Sequence, residues 1–528
     1  PAKMAKMAGC QLVAPPCKLL GKFLSPGKTS EILDWLENLA ESFDFSIISV
    51  DMPLYGGLVA SRAKNCSLET VEKRLGRFEE IIARKKGQLG KVYIFNSLLR
   101  AAPTFTDETL LPIAQKIIDL SCESYLAQKG DEVAARATER IEKEIPPNLL
   151  KAYWETRDRN HEIDVKLLQL MAEGLADYML IGLDDSKTIG LNILEKEELE
   201  NIIEELGIGK KVTIAPGADE SALLLMARGL SQSTEIYPRI CPVYSNPGGE
   251  KITPRYEDRN IEEIIELHTE ISGSQLVHNR ADADILLYVH TPISKQLEAS
   301  SQHYKDYKND FDQNFVSDIK NSIKEYKRVA MADIFYANGA DLVLANSLID
   351  RINILKLWSY AAWNTAGNTT GTVISQSVLR FVSEKTMETL EEQRQMAKQH
   401  LIILLERLAD DWLYQSEVRQ ILRTKALELN LSIFHLEDWT EHFNQEARNL
   451  LKERLYQLFD YYLKHCFISF NNGNSYKIER LKDIRIHLPW DRLFEVSVNL
   501  DMDLAPVSTH HGDQICGEQK EPHQKTLL

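Results

Sequence analysis

The stretch Asp177-Tyr-Met-Leu-Ile-Gly-Leu183, followed at once by Asp184-Asp185-Ser186-Lys187, decides the fold. Its core is continuously apolar rather than alternating, as in a parallel strand covered on both faces. It also stops abruptly in polar residues. The same pattern recurs on both sides of it. Residues 11–14, 45–50, 91–95, 211–215, 240–244, 284–289, 329–333 and 341–345 read as further strands, with amphipathic stretches such as 30–41, 68–85 and 195–206 between them. Strand–helix–strand repetition predicts an α/β protein with a largely parallel sheet, either open or closed into a barrel.

Two segments depart from the pattern. Residues 107–174 are helical in propensity, with a break at Pro146-Pro147, and read as a helical insertion. From 383 the chain is again helical and charged, and it ends in short β-like runs at 466–470, 485–488 and 494–498 around an Asn471–Asn474 turn. The expected organisation is therefore an α/β region over 1–382, a mainly helical region with a short β end over 383–504, and a disordered tail over 505–528.

With 44% hydrophobic and 27% charged residues, the chain is that of an ordinary globular protein. Its 528 residues hold 62 Lys+Arg against 78 Asp+Glu, a net charge of −16. That balance leaves no surplus to neutralise phosphates, so neither nucleic acid nor an anionic membrane is an expected partner. No apolar run is long enough to span a bilayer, and the N-terminus has no signal-peptide core. Seven scattered cysteines without a C-x-x-C pair fit a reducing compartment, and a cytoplasmic location is expected.

The residues immediately after each strand carry the chemistry. The strands end at Asp51 (with Arg62 further on), Asn96 and Arg100, Asp184-Asp185, Asp219-Glu220, Ser245-Asn246 and Asp333. In parallel α/β proteins the carboxyl ends of the strands form the active face. The competing use of Asp and Asn at such positions is capping the next helix. Adjacent carboxyls such as Asp184 and Asp185 leave a strand in different directions and can divide labour, one donating a proton while the other stays ionised. They can equally ligate a hard cation.

Trp363-Asn364-Thr-Ala-Gly367-Asn368-Thr-Thr-Gly371 offers an aromatic face beside neutral hydrogen-bonding groups, which suits a hydroxyl-rich ligand; small residues for close helix packing explain it equally well. The Gly56-Gly57 and Gly248-Gly249 pairs read as places where a helix can start close to an anion. No dinucleotide, P-loop, G-x-S-x-G or H-E-x-x-H motif is present, so the sequence names no cofactor and no metal. His161 and its charged neighbours read as an exposed salt-bridge face, with Arg157 and Arg159 able to reach an anionic substrate.

Several strings resemble a bacterial family known only as domain of unknown function family 4127. They are Asp51-Met-Pro-Leu-Tyr-Gly-Gly-Leu-Val-Ala-Ser-Arg62, Gly182-Leu-Asp-Asp185, Pro216-Gly-Ala-Asp-Glu220, Trp363 to Gly371, Asp411-Trp-Leu-Tyr-Gln-Ser-Glu-Val-Arg419 and Leu488-Pro-Trp-Asp-Arg-Leu-Phe-Glu495. The resemblance runs from near Pro1 to about Val498 and supplies a family rather than an activity. It implies a strand ending in Pro-Leu-Asp-(Asp/Glu)-Arg-Pro just upstream of Pro1, so the chain is expected to begin one strand into the unit.

The resulting expectation is a hydrolase acting on a glycoside or another hydroxyl-rich small molecule. Asp184 and Asp185 would share acid and orienting roles, supported by Asp51, Asp219 and Glu220. Asn96, Arg100, Asn246, Asp333, Trp363, Asn364 and Asn368 would bind the substrate. The alternatives are metal-dependent hydrolysis or phosphoryl transfer through Asp51, Asp184, Asp185 and Asp333, and a non-enzymatic ligand-binding protein. Oligomeric state is not encoded in any pattern above.

Overall fold

A computed structural model describes residues 1–105, 108–302, 313–470 and 473–507. Of the expected tail 505–528, Ala505 and Pro506 end the strand Ser497–Pro506 and residues from 508 on lie outside the described residues, as do residues 471–472 of the expected turn. Among the described residues the fold is α/β with two larger parallel sheets and a largely helical C-terminal part. Contacts divide the chain into two compact units: Val13–Gly229 with Tyr256–Leu267, and Pro1–Leu12 with Leu230–Arg255 and the chain from His268 on. The boundary expected at 382/383 falls inside the helix Ala366–Thr386.

In the first of these units, β1 (Phe45–Ser49), β2 (Lys91–Leu98), β3 (Tyr178–Leu183) and β4 (Val212–Pro216) lie side by side in chain order, all parallel. Val92 and Ile94 of β2, Met179, Ile181 and Leu183 of β3, and Val212 and Ile214 of β4 point to one face. There they pack with Leu33 and Leu36, Phe78 and Ile81, Leu167 and Leu168, and Leu199 and Ile203, from the helices Thr29–Glu37, Leu68–Leu89, Pro147–Glu173 and Leu191–Glu205. Period-2 strand faces thus meet period-3.6 helix stripes in one core. Truncating fully buried Leu167 to Ala removes contacts worth about 3 kcal/mol.

Local punctuation explains the element ends. Helix Leu68–Leu89 starts at Ser67, whose side chain accepts from Thr70 N–H, and stops at Gly90. Gly90 has φ +64, and a Cβ there would lie 2.3 Å from the Phe43 and Asp44 carbonyl oxygens, so only glycine turns the chain into β2. The insertion forms helices Leu111–Gln128, Glu132–Glu144 and Pro147–Glu173, the last beginning at the Pro146-Pro147 break because proline is tolerated in a first turn.

The second unit contains β5 (Arg239–Tyr244), β6 (Gln275–Leu276), β7 (Ile285–His290), β9 (Val329–Asp333) and β11 (Ser359–Ala361) in the order β11-β9-β7-β5-β6, all parallel. The order reverses between β5 and β7, a doubly wound arrangement. Two short strands, β8 (Leu297–Glu298) and β10 (Tyr336–Ala337), pair separately. A second sheet, antiparallel, joins β12 (Phe467–Ser469) to the hairpin β13 (Ser475–His487) and β14 (Ser497–Pro506). On β14, Val498, Leu500, Met502 and Leu504 are buried on alternate positions.

Three expectations are corrected. Residues 11–14 form no strand. Residues 341–345 are not a strand either: Asp341 caps the helix Leu342–Arg351 by accepting from Val343 N–H, and a five-residue apolar run is compatible with either element. The C-terminal β runs expected at 485–488 and 494–498 become the much longer β13 and β14, with Phe494 outside both. Among the described residues, Cys10, Cys17, Cys66, Cys122, Cys241 and Cys466 form no disulfide. No helix among the described residues is long and apolar enough to cross a membrane.

Candidate functional site

At the carboxyl edge of β1–β4, three strand ends bring together Asp51, Asp184 and Asp185 with Arg62 and Arg100. Arg62 Nη2 pairs with Asp184 Oδ2, and Arg100 Nη1 with Asp185 Oδ2. Arg100 also donates to Ala102 O (3.1 Å) and Thr104 Oγ1 (3.0 Å). Asp185 sits at φ +39, an uncommon backbone conformation for a residue with a side chain, which turns it out of β3 beside Asp184. The Asp185 side chain is 30% exposed and Asp184 14%, so the cluster opens to solvent.

Asp51 differs from its neighbours. It is buried and accepts one hydrogen bond, from Ser97 N–H at 3.1 Å. Burial pushes its carboxyl up to about 7; the Ser97 amide and the Arg62 charge oppose the rise, and the Asp184 charge adds to it. Burial, followed by the Asp184 charge, also raises Asp185, against Arg100 and Arg62. Arg62 Nε–H is buried and has no partner among the described residues.

Behind this edge the helix Pro147–Glu173 holds the site arginines through their backbone. Arg157 donates to Leu99 O (2.7 Å) and Arg100 O (3.1 Å) and is itself held by Glu195 (2.8 Å). Arg159 donates to Ser61 O (2.6 Å) and Ala63 O (3.3 Å), on either side of Arg62, and lies over the Tyr55 ring. Both are therefore buried positioning residues, which replaces the expectation that they reach a substrate from an exposed face. His161 does pair with exposed Glu198, at 3.0 Å.

Asn96 donates to Asp164 Oδ1 (2.6 Å) inside the same framework. Burial holds the Asp164 carboxyl well above its usual range. Asp164 Oδ2 and Asn96 Oδ1 are both buried with no hydrogen-bond partner among the described residues. At the end of β4, Glu220 is buried against Gly217, where a Cβ would lie 1.9 Å from Glu220 Oε1, and Asp219 is exposed. Gly56 serves close packing: a Cβ there would meet Gly27 N at 2.6 Å. The helix after Gly57 has four residues and the one after Gly248 three, too short to present an anion site.

Asn246, Asp333, Trp363, Asn364 and Asn368 belong to the β5–β11 unit. Asn246 donates to Thr291 O (2.6 Å) and Ser245 Oγ (3.0 Å). Asp333 is buried and accepts from Asp341 N–H (2.8 Å) and Phe335 N–H (3.4 Å); burial pushes its carboxyl up to about 7, with His290 opposing and Asp341 adding. Asn368 forms a capping box with Thr365, and the helix from Ala366 is buried through Ser383. Trp363 is half-buried under the Arg407 guanidinium, 5.5 Å from the ring centre, and donates to Thr372 Oγ1 at 3.2 Å. Asn364 has φ +54 and accepts from Asn338 N–H through its carbonyl.

Sequence reasoning did not reach His290, Asp341, Asp411 or Arg407. Arg407 pairs with Asp410 and Asp411 at 2.9 Å each, and Asp411 also accepts from Ala362 N–H at 2.8 Å. Asp411 lies on Leu408–Val418, a π-helical stretch, a form often found at functional sites. His290 closes β7 at the reversal of strand order, a placement visible only once the topology is known.

Parallel strands with paired acidic and guanidinium side chains at their carboxyl edge define an α/β protein with a polar cluster at that edge. The chain belongs to the family described as Protein of unknown function (DUF4127), whose model matches residues 1–499. No curated protein and no solved structure matches the chain.

Proposed function

We propose that the edge of β1–β4 is the active site of a carboxylate-dependent hydrolase for a hydroxyl-rich small molecule, with glycoside hydrolysis as the reaction. The observation that carries this reading is the placement of buried Asp51, on a single amide hydrogen bond, beside the open Arg62–Asp184 and Arg100–Asp185 pairs. Asp51 is the proton-exchanging group, since a carboxyl raised to about 7 both holds and releases a proton near neutrality. Asp184 and Asp185, each fixed by a guanidinium, serve as the charge-stabilising and orienting carboxylates. The roles expected from sequence are thereby redistributed, with Asp51 taking the acid role.

Charge also bears on the substrate. Three carboxyls face two guanidiniums, and with Asp51 protonated the cluster is neutral. Such an edge gives a phosphorylated substrate no net attraction, whereas a neutral polyol gains hydrogen bonds from the open carboxylates and guanidiniums. The metal-dependent reading has no comparable support: among the described residues no three His, Cys, Asp or Glu side chains are grouped to hold an ion. Asp333 moreover belongs to the other unit.

The test is release of the aryl group from a panel of chromogenic glycosides by the full chain. Turnover of at least one member, with a pH limb near 7, supports the reading. Binding of glycosides without turnover would establish a ligand-binding protein instead. No turnover and no binding across the panel removes the assignment.

A further inference from the structure

The second parallel sheet carries chemistry that the proposed glycoside site does not use. At the reversal between β5 and β7, where doubly wound sheets bind their ligands, Ser245 follows β5 and His290 ends β7. Ser245 Oγ lies 3.1 Å from His290 Nδ1, and His290 Nε2 lies 3.0 Å from Asp341 Oδ2. All three side chains are buried.

The proton positions follow from the neighbours. Ser245 Oγ accepts from Thr291 N–H (3.0 Å) and from Asn246 Nδ2 (3.0 Å), which fills both lone pairs. Its own hydrogen must go elsewhere, and Thr291 Oγ1 at 3.5 Å is too far for a good O–H···O bond. The hydroxyl therefore donates to His290 Nδ1. His290 then carries its hydrogen on Nε2, which faces the Asp341 carboxylate. Both ends of the ring demand the same tautomer.

Each member is also held rigidly. The His290 ring stacks on Phe335 at 4.8 Å between centroids and 16° between planes, with Phe315 at 6.1 Å. Asp341 Oδ1 accepts from Val343 N–H, and Asp341 N–H donates to Asp333. Gly249 presses the following loop onto Thr291, since a Cβ there would lie 2.0 Å from Thr291 Oγ1. A hydroxyl bonded to a bare imidazole nitrogen, with a carboxylate orienting the ring, is the arrangement of an activated serine nucleophile.

We propose that Ser245, His290 and Asp341 form a second catalytic centre, acting on a carboxylic ester, with the Asn246 amide as the donor to the developing oxyanion. Ser245 Oγ attacks the carbonyl carbon while its proton moves to His290 Nδ1. The C–O bond to the alcohol then breaks, and His290 returns that proton to the leaving alkoxide. Water hydrolyses the acyl-serine by the reverse proton route. Attack needs one lone pair of Oγ, and Asn246 frees it because its amide already has a second acceptor in Thr291 O.

A fluorophosphonate probe reads the centre without knowledge of the ester. It forms an Oγ–P bond, breaks P–F and releases fluoride and the serine proton. The expected result on the intact, folded chain is phosphonylation at Ser245, located by peptide mass spectrometry. Labelling is expected to be absent in Ser245→Ala and at least ~100-fold slower in His290→Gln and Asp341→Asn, the loss of a general base. Folded wild-type chain that takes up no label at Ser245, or label confined to another serine, overturns the proposal without recourse to any variant. Labelling of folded His290→Gln at the wild-type rate overturns it too. Glycoside turnover is read separately, so either centre can fail alone.

Discussion

At the edge of β1–β4, Asp184 and Asp185 each face a guanidinium and remain open to water, and only Asp51 is buried on a lone amide. At the edge of β5–β11, Asp333 rests on backbone amides and Asp341 on an amide and an imidazole, all of them buried; Asp411 alone has an arginine. The position in the sheet is equivalent, but the carboxyls are neutralised by different means. An arginine opposes the rise that burial causes in its carboxyl partner, as Arg100 does for Asp185 and Arg407 for Asp411, whereas burial on amides alone favours the protonated acid or commits the carboxylate to orienting a neighbour. The first edge therefore suits charge stabilisation around one proton donor. The second suits a relay.

The largest effect that can break this contrast is on turnover. Asp51→Asn keeps an acceptor for Ser97 N–H but removes the exchangeable proton, and glycoside turnover should fall by roughly 10²- to 10⁴-fold with little change in melting temperature. An unaltered rate in a folded variant would assign the proton to another group.

The pH dependence of stability sharpens the contrast next. Asp333 is harder to ionise folded, at about 7, than unfolded, at about 4. Its stabilising proton is fully present below pH 4, and stability declines as pH rises towards 7. The change is on the order of 4 kcal/mol at most. Denaturant titrations should show a shallower decline over that range in Asp333→Asn, with the Asn oxygen turned towards Asp341 N–H. A parallel decline in variant and wild type would mean that Asp333 titrates normally.

The smallest effects separate the two kinds of ion pair. Arg407→Ala leaves fully buried Asp411 without its cation and uncovers Trp363, and should cost about 3 kcal/mol. Arg100→Ala at the open edge should cost about 1 kcal/mol. Equal losses in urea melts would erase the distinction between the edges.

The family was legible in its motif strings, and the α/β class and most strands because the runs at 45–50, 91–95, 177–183, 211–215, 240–244, 284–289 and 329–333 have largely apolar centres, as doubly covered parallel strands require. The run at 341–345 misled because Asp341 looks the same in a strand-end loop as in a helix cap. At the first edge, the strand-end rule picked out Asp51, Arg100, Asp184 and Asp185, but the sequence does not encode which carboxyl is buried, so the acid role fell to the adjacent pair. Ser245 and His290 are 45 residues apart and meet only through the β5–β7 pairing. Arg157 and Arg159 carry the charge pattern of an exposed helix face, and only the tertiary structure shows them holding carbonyls beside Arg62 and Arg100.

The most direct test is the protonation of Asp51 itself, followed by infrared difference spectroscopy of chain labelled with ¹³C-carboxyl aspartate, wild type minus Asp51→Asn. A protonated-carboxyl band that disappears with a midpoint near 7 is the predicted result. The midpoint should rise further in Arg62→Gln, where the opposing charge is gone, and fall in Asp184→Asn, where the reinforcing charge is gone. A midpoint at the ordinary aspartate value of about 4, unmoved by either change, would contradict a buried proton-exchanging Asp51.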